Sequence, residues 1–182
     1  MNCIKTDIED VLIFEPSVFN DHRGYFIESF SERCIQEYIP GIRFVQDNES
    51  KSTYGVLRGL HYQTGEHAQA KLVRVVHGKV LDVVVDLRSS SPHFGKYVAI
   101  ELSDENKRQL FAPKGFAHGF VVLSPTAIFQ YKCDGYYAPG TEAALRYNDP
   151  IVGIDWGVDM ETIILSEKDK NAPFLKDAVL FD

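Results

Sequence analysis

The chain has 182 residues, of which 45% are hydrophobic and 25% are charged. These values predict one globular domain, residues 1–182, with a sizeable core, and they exclude a disordered chain. The net charge of −7 argues against nucleic acid or an anionic membrane surface as the main partner, although a few local cations can still bind a small phosphorylated ligand.

The cysteine pattern and the N-terminus predict a cytoplasmic protein. Cys3, Cys34 and Cys133 are widely spaced and form no CxxC pair, which is typical of a reducing compartment and favours neither a disulfide frame nor a zinc site. The N-terminal residues contain no apolar signal segment, and the chain has no run of 18 apolar residues. We therefore expect neither secretion nor a membrane partner.

Most of the chain is predicted to form short strands. Segments rich in Val, Ile, Phe and Tyr, separated by turn residues, lie at 12–19, 25–30, 43–50, 71–76, 79–87, 97–102, 108–113, 118–123 and 127–133, and RGLHYQ (58–63) adds another. His77-Gly78 and Ser124-Pro125-Thr126 predict tight hairpins. Such a series of strands and turns is typical of an antiparallel sandwich or barrel.

Two segments carry helix signals. Ser29 and Glu32 have the spacing of a capping box and predict a helix over 29–39. Ser166 and Asp169 have the same spacing and predict a second helix over 166–178. The simplest architecture is a β-barrel with one or two short peripheral helices.

Five polar side chains are candidates for chemistry because a barrel would bring them into one lumen: His61, Lys71, His118, Tyr131 and Asp169. Each also has an ordinary structural explanation, such as the capping box for Asp169 and a solvated strand end for Lys71. Tyr131 shares a strand face with the apolar Phe129, and Lys71 shares one with Val73. A polar group on such a face lies at a strand end, in water or in a cavity.

The segment FAPKGFAHGF (111–120) narrows the fold further. Its P-x-G-x-x-H pattern, ending at His118, resembles the second half of the signature of cupins, which are double-stranded jelly rolls and often bind a metal. The residue two positions after His61 is Gln63 rather than a second histidine. His61 and His118 alone supply too few ligands for a stable metal centre, so a metal site ranks behind a metal-free general base.

Eight motifs in order give a stronger resemblance. They are DHRGYFIESF (21–30), VQDNESKS (45–52), GVLRGLHYQ (55–63), QAKLVRVVHGKVLDVVVDLR (69–88), PKGFAHGFVVLS (113–124), YKCDGYY (131–137), YNDPIVGIDW (147–156) and LSEKD (165–169). From about residue 10 to residue 178 the chain resembles the dTDP-4-dehydrorhamnose 3,5-epimerase family. The resemblance implies a cupin-type double-stranded β-helix (jelly roll) that uses neither metal nor cofactor. It also implies conversion of dTDP-4-keto-6-deoxy-D-glucose to dTDP-4-keto-rhamnose.

The resemblance also implies roles for thirteen residues. His61 is the base, Asp169 orients it, and Tyr131 is the acid on the opposite face of the sugar. Tyr137 stacks on the thymine. The other ligand contacts are Arg23, Glu28, Gln46, Asn48, Arg58, Lys71, His118, Glu142 and Lys168. The family is a homodimer whose N-terminal strands are exchanged, so that part of each site comes from the other subunit.

The chemistry explains why these residue types are needed. A C4 ketone acidifies the hydrogens on C3 and C5, and inversion requires proton removal from one face and return on the other. Histidine suits removal because its pKa lies near working pH, tyrosine is a neutral donor at pH 7, and Lys71 is our first candidate to stabilise the enolate oxygen. Arg58 suits the sugar or the diphosphate.

One local conflict and three alternatives remain open. Arg58 and His61 are three residues apart and would point to opposite faces of a regular strand, so we expect either a bulge at Gly59 or an arginine that reaches around the rim. The alternatives to the 3,5-epimerase are an epimerase of the same family acting at C3 only or on another nucleotide sugar, a metal-dependent cupin, and a non-catalytic sugar-binding barrel.

Overall fold

The computed structural model describes residues 1–182 and is built almost entirely of short antiparallel strands. The strands are β1 (Asn2–Lys5), β2 (Leu12–Glu15), β3 (Val18–Asp21), β4 (Gly24–Ile27), β5 (Gln46–Thr53), β6 (Leu57–Gln63), β7 (Lys71–His77), β8 (Lys79–Asp86), β9 (Tyr97–Ser103), β10 (Gln109–Ala112), β11 (Phe116–Val122), β12 (Thr126–Cys133) and β13 (Glu142–Ala144). The two α-helices are α1 (Glu32–Gln36) and α2 (Glu167–Lys170), and 3-10 turns occur at Gly65–His67, Met160–Thr162 and Leu175–Asp177. None of these helices is long and apolar enough to cross a membrane.

The strands form two facing sheets and a separate hairpin. One sheet has the order β1-β2-β10-β7-β12-β5, the other has the order β13-β6-β11-β8-β9, and β3 pairs only with β4. From β5 to β8, each successive strand lies in the opposite sheet, as do β10, β11 and β12. This alternation defines a jelly-roll sandwich, so the predicted mainly-β, cupin-type fold with short peripheral helices is confirmed. The sheets remain open rather than closing into a continuous cylinder.

The two predicted hairpins are wrong. His77-Gly78 connects β7 to β8, and Ser124-Pro125-Thr126 connects β11 to β12, but each pair of strands lies in different sheets. These turns are corners that pack against each other. Gly78 has φ +77°, and a Cβ there would lie 2.1 Å from the carbonyl oxygen of Thr126. The Ser124 hydroxyl accepts a hydrogen bond from the Lys79 amide at 2.8 Å.

Prolines and capping serines explain where several strands and helices begin and end. The strand predicted over 12–19 divides at Pro16 into β2 and β3 because proline has no amide hydrogen to donate to a ladder. The first helix is shorter than predicted and begins after Ser31, so Ser29 does not cap it. Ser166 does cap α2, since its hydroxyl accepts from the Asp169 amide, but that helix ends at Lys170 before Pro173.

Three apolar clusters hold the layers together. Val73, Val84, Phe120 and Phe129 belong to the cluster between the two sheets. The outer face of the five-stranded sheet is covered by the C-terminal segment around the fully buried Trp156. The outer face of the six-stranded sheet is covered by α1 and its neighbours. One cluster thus fills much of the space between the sheets, and the other two cover their outer faces.

Candidate active site

The open end of the sandwich contains two adjoining cavities. The inner cavity has a volume of about 440 Å³, and the outer one has a volume of about 200 Å³. Both are lined by His61, Lys71, Tyr131 and Lys168, so the two cavities meet at these side chains. Eleven of the thirteen predicted site residues line one cavity or the other.

The two walls of the inner cavity carry different groups. His61 and His118 belong to β6 and β11, directly opposite each other in the five-stranded sheet. Tyr131 and Lys71 belong to β12 and β7 of the six-stranded sheet, and the Lys71 ammonium lies 5.9 Å from the centre of the Tyr131 ring. Because the sheets face each other, the histidines and the tyrosine–lysine pair approach the cavity from opposite sides.

His61 is held by Asp169, and Asp169 is held by Ser166. The Nε2 of His61 lies 2.5 Å from Oδ1 of Asp169, and the Ser166 hydroxyl donates to Oδ2 of the same carboxylate at 2.7 Å. Burial raises the pKa of Asp169, but the hydrogen bonds from His61 and Ser166 outweigh it, so the pKa lies below its usual value. An ionised Asp169 favours the His61 tautomer with the proton on Nε2, which leaves Nδ1 free to accept a proton.

A bulge resolves the conflict between Arg58 and His61. His118 and Phe120 of β11 pair with His61 and Arg58 of β6, so a step of three residues on β6 lies opposite a step of two on β11. As a result, the side chains of Arg58 and His61 both line the inner cavity. A Cβ on Gly59, which has φ +121°, would lie 2.7 Å from the Cα of Gly119. Of the two alternatives left open by the sequence, the structure shows the bulge at Gly59, and glycine is needed there.

A second histidine–carboxylate pair lies deeper. The Nε2 of His118 contacts both carboxylate oxygens of Asp82 at 3.0 and 3.1 Å. Burial raises the pKa of Asp82, opposed by His118 and Lys71. Burial lowers the pKa of Lys71, opposed by Cys133 and Asp82. An ionised Asp82 therefore supports the positive charge of Lys71.

Tyr131 is kept protonated by its surroundings. Burial raises the pKa of its hydroxyl, Cys133 adds to the rise, and Arg58 opposes it. The phenol therefore stays neutral at pH 7 and remains a proton donor. Phe129 lies one step along the same face of β12, and its ring stacks on Phe120 with centroids 4.1 Å apart, which forms an apolar floor beneath the polar groups.

The outer cavity carries the predicted nucleotide contacts. Gln46 and Asn48 come from β5, and Tyr137 comes from the loop after β12. Lys168 and Glu142 form an ion pair of 2.9 Å at the junction of the cavities, and this lysine holds the pKa of Glu142 below its usual value.

Arg23 and Glu28 are not at the cavity of their own chain. Arg23 lies in the β3–β4 hairpin, where it forms an ion pair with Asp21, and both Arg23 and Glu28 are exposed. The hairpin also exposes Phe19 and Phe26, at 63% and 68% of their surface. The structure of the single chain therefore brings neither of these two predicted site residues to a cavity.

Three residues that support the site were not predicted from the sequence, and Ser166 was predicted only as a helix cap. Asp82 and Ser166 hold His118 and Asp169, Ser52 accepts a hydrogen bond from the Arg58 Nε at 3.0 Å, and Ser50 lines the inner cavity. A signal existed for Asp82, because it is a charged residue in the middle of a largely apolar strand, VLDVVVD, flanked on its own face by Val80 and Val84. Ser50 and Ser52 carry no such signal, since serine is ordinary on an edge strand.

The arrangement can exchange protons on both faces of a flat intermediate. It places a carboxylate-held imidazole on one wall, a neutral phenol on the other, and cations beside both. No group of three or more His, Cys, Asp or Glu side chains with the spacing of a metal site occurs in residues 1–182. Fold and site together define a cupin-type protein with the groups of an acid–base catalyst.

Comparison with known proteins gives the family. Residues 5–177 match the family model described as dTDP-4-dehydrorhamnose 3,5-epimerase, and the chain belongs to this family. It is 54% identical to the dTDP-4-dehydrorhamnose 3,5-epimerase of Shigella flexneri over 182 residues, covering 100% of this chain and 99% of that one.

Solved structures agree with this assignment. The crystal structure of the dTDP-4-dehydrorhamnose 3,5-epimerase of Elizabethkingia anophelis matches with a TM-score of 0.92 and 55% identity over 97% of both chains. The Legionella pneumophila epimerase, solved with dTDP-4-keto-L-rhamnose, matches with a TM-score of 0.93 and 50% identity over 97% of this chain and 93% of that one. A 3'-monoepimerase of Streptomyces bikiniensis, solved as a double mutant with dTDP, is more distant, at 33% identity and a TM-score of 0.87 over 94% and 86%.

Proposed function

We propose that the protein is a dTDP-4-dehydrorhamnose 3,5-epimerase that converts dTDP-4-keto-6-deoxy-D-glucose to dTDP-4-keto-L-rhamnose. The observation that carries the proposal is the placement of His61 and Tyr131 on facing walls of one cavity. Epimerisation needs this opposition, because the proton removed from one face of the sugar must be replaced on the other. The Legionella relative, at 50% identity, was solved with dTDP-4-keto-L-rhamnose, which supports the substrate class.

His61 begins each inversion. Its Nδ1 takes a proton from the carbon next to the ketone, and the electron pair of the broken C–H bond moves onto the ketone oxygen to give an enolate. Asp169, bonded to Nε2, stabilises the imidazolium that forms. Lys71 lies across the cavity from His61 and stabilises the enolate oxygen.

Tyr131 completes the inversion. Its hydroxyl donates a proton to the same carbon from the opposite wall, the carbonyl re-forms, and the phenolate and imidazolium then exchange their protons with water. The S. bikiniensis 3'-monoepimerase carries histidine-to-asparagine and tyrosine-to-phenylalanine changes. These two positions are separated by the same number of residues as His61 and Tyr131, which supports the choice of pair.

The nucleotide sugar would extend from the inner cavity into the outer one. The 4-keto sugar lies in the inner cavity, and the nucleotide extends through the outer cavity towards Tyr137. Arg58, Lys168 and His118 supply positive charge or hydrogen-bond donors near the junction, and arginine binds phosphate oxygens through its planar fork. The local cations thus oppose the net negative charge of the chain.

A homodimer completes this proposal. The β3–β4 hairpin pairs with no other strand of its own chain and exposes large apolar side chains. In a dimer with exchanged N-terminal strands, this hairpin would cross to the partner and carry Arg23 and Glu28 to the partner's cavity. Small-angle scattering and sedimentation at micromolar concentration would test the assembly, and a monomer with full activity would contradict it.

The three free cysteines favour a cytoplasmic location.

Deuterium incorporation tests the reaction. The purified, chelator-treated protein is incubated with dTDP-4-keto-6-deoxyglucose in D₂O, and the product is trapped with a reductase and examined by NMR. We expect label at both C3 and C5 in a rhamno product. A matched sample without enzyme controls for spontaneous exchange at the carbons next to the ketone.

The same experiment separates the alternatives. Label at C3 alone would assign the protein to monoepimerases, the activity named for the S. bikiniensis relative. Activity that appears only after metal is restored would make His61 a ligand in a metal-dependent cupin. Binding without any label would favour a sugar-binding barrel.

A further inference from the structure

The loop that carries Tyr137 is held by polar contacts rather than by a core. Residues 134–141 connect β12 to β13 and form one side of the outer cavity. The side chains of Tyr136 and Tyr137 are 72% and 53% exposed, so neither anchors the loop by burial. The stacking surface offered to the nucleoside base therefore depends on what holds the backbone.

Three glutamine side chains hold that backbone. Gln46 accepts a hydrogen bond from the Tyr137 amide at 3.0 Å, and Gln69 donates to the Gly135 carbonyl at 2.7 Å. Gln63 accepts from the Ala138 amide at 2.8 Å and donates towards the Tyr136 carbonyl at 3.4 Å. These contacts reach the loop from three different segments of the sandwich.

Gln63 differs from the other two because it is buried. It is 5% exposed, and its amide also donates to the His67 carbonyl at 3.0 Å, which ties the turn after β6 to the loop. All its partners are backbone groups of these two loops, so the buried amide is satisfied only when both lie in this arrangement. Gln63 also lies two residues after His61 on β6, so it links the loop to the strand that carries the base.

We infer that Gln63, assisted by Gln69, is a positioning residue that holds the 134–141 loop in place to bind the base of the nucleoside diphosphate. This inference rests on the proposed function and assigns a role to two residues that do no chemistry. If this is correct, Gln63 affects the affinity for the nucleotide, whereas His61 affects the rate of proton transfer.

The test compares Gln63→Met with Gln36→Met. Methionine keeps the length and volume of glutamine but removes every hydrogen bond. The matched control removes a similar bond, from Gln36 to the Ile42 carbonyl, at an exposed site far from the cavities. Titration calorimetry with dTDP gives the Kd, and steady-state kinetics with the keto sugar give kcat and KM separately.

We expect Gln63→Met to raise the Kd for dTDP and the KM by about tenfold, since it removes bonds whose loss costs affinity, while kcat stays within about twofold. Gln36→Met leaves all three values unchanged. Gln69→Met, which removes a single bond, should raise Kd by a smaller factor and provides a second variant if Gln63→Met folds poorly. A loss confined to kcat, or a Kd equal to that of Gln36→Met, would overturn the inference.

Hydrogen exchange provides a readout that does not depend on turnover. The Ala138 amide donates to Gln63, so its exchange in free enzyme should accelerate in Gln63→Met and not in Gln36→Met. Saturating dTDP should slow that exchange again in the variant. If the wild-type protein failed to label C3 and C5 of the keto sugar, the proposed function would fall. Exchange at Ala138 and dTDP affinity would still decide the role of Gln63.

Discussion

The two histidine–carboxylate pairs of the cavity have the same chemical composition and buried carboxylates, but their histidines differ in exposure. The His61 side chain is 39% exposed and its partner Asp169 lies at the start of a helix at the cavity edge. The His118 side chain is 8% exposed and Asp82 is fully buried in the middle of β8. Both histidines line the inner cavity, but the His61 side chain is the more open to solvent of the two.

The pKa values of the two carboxylates are shifted in opposite directions because burial and hydrogen bonding balance differently at the two sites. Burial raises the pKa of Asp169, but the bonds from His61 and Ser166 outweigh it and bring the pKa below its usual value. For Asp82, the effect of burial outweighs the opposing effects of His118 and Lys71, so the pKa is raised. The exposed pair is therefore suited to accept and release a proton at each turnover, while the buried pair acts by holding charge beside Lys71. Substitutions in the two pairs should consequently have effects of different size and kind.

The largest expected effect follows loss of the exposed imidazole. His61→Ala removes the general base, and kcat should fall by about 10²- to 10⁴-fold while the fold is retained. Product formation measured by NMR, with circular dichroism to monitor folding, checks this. His77→Ala, which removes an exposed histidine at a sheet corner, is the control. Equal losses in both variants, or unfolding of His61→Ala, would mean that His61 is structural.

The next largest effect should follow loss of the acid on the opposite wall. Tyr131→Phe keeps the ring and removes the hydroxyl, so product formation should fall by about 10²-fold or more. Exchange of substrate hydrogen with D₂O should persist, because His61 can still remove and return a proton on its own face. Near-normal product formation by this variant would exclude Tyr131 as the acid.

A smaller effect, of a different kind, is expected from the buried pair. Asp82→Asn keeps the shape but removes a charge that raises the pKa of Lys71 against the lowering effect of burial. The lysine should then lose its proton at lower pH, so the alkaline fall in kcat should move to lower pH. A profile of kcat from pH 6 to 10 measures this shift, and a uniform loss at every pH would count against a role through charge.

The smallest expected effect concerns the support of Asp169. Ser166→Ala removes the cap of α2 and a hydrogen bond to the carboxylate, and should lower the free energy of unfolding by about 1 kcal/mol at pH 7. The pKa of Asp169 is lowered in the folded state, so its contribution is present above the unfolded pKa and is lost as pH falls through the folded pKa.

Urea unfolding at two pH values tests both parts of this expectation. The difference between Ser166→Ala and wild type should be largest near pH 7 and should shrink as the pH falls below the usual range for aspartate, where the carboxylate becomes protonated in both states. A difference that is constant with pH would assign the whole effect to the helix cap.

The sequence determined the class of the fold and named eleven residues that line the two cavities. Alternating apolar residues predicted the strands because one face of each must be buried. The same alternation placed Tyr131 and Lys71 on otherwise apolar strand faces, and the ordered motifs supplied His61 and Asp169. The spacing of Arg58 and His61 predicted either a bulge at Gly59 or an arginine reaching around the rim, and the structure shows the bulge.

Only the tertiary structure decided which groups meet. The residues at 77–78 and 124–126 have the composition of hairpin turns, and only the pairing of distant strands shows that each is a corner between sheets. Asp82 and His118 are 36 residues apart, and Gln63 contacts a loop more than 70 residues away. Such contacts form because strands that are distant in sequence pair in the sheets, and local sequence patterns do not show which distant strands will pair.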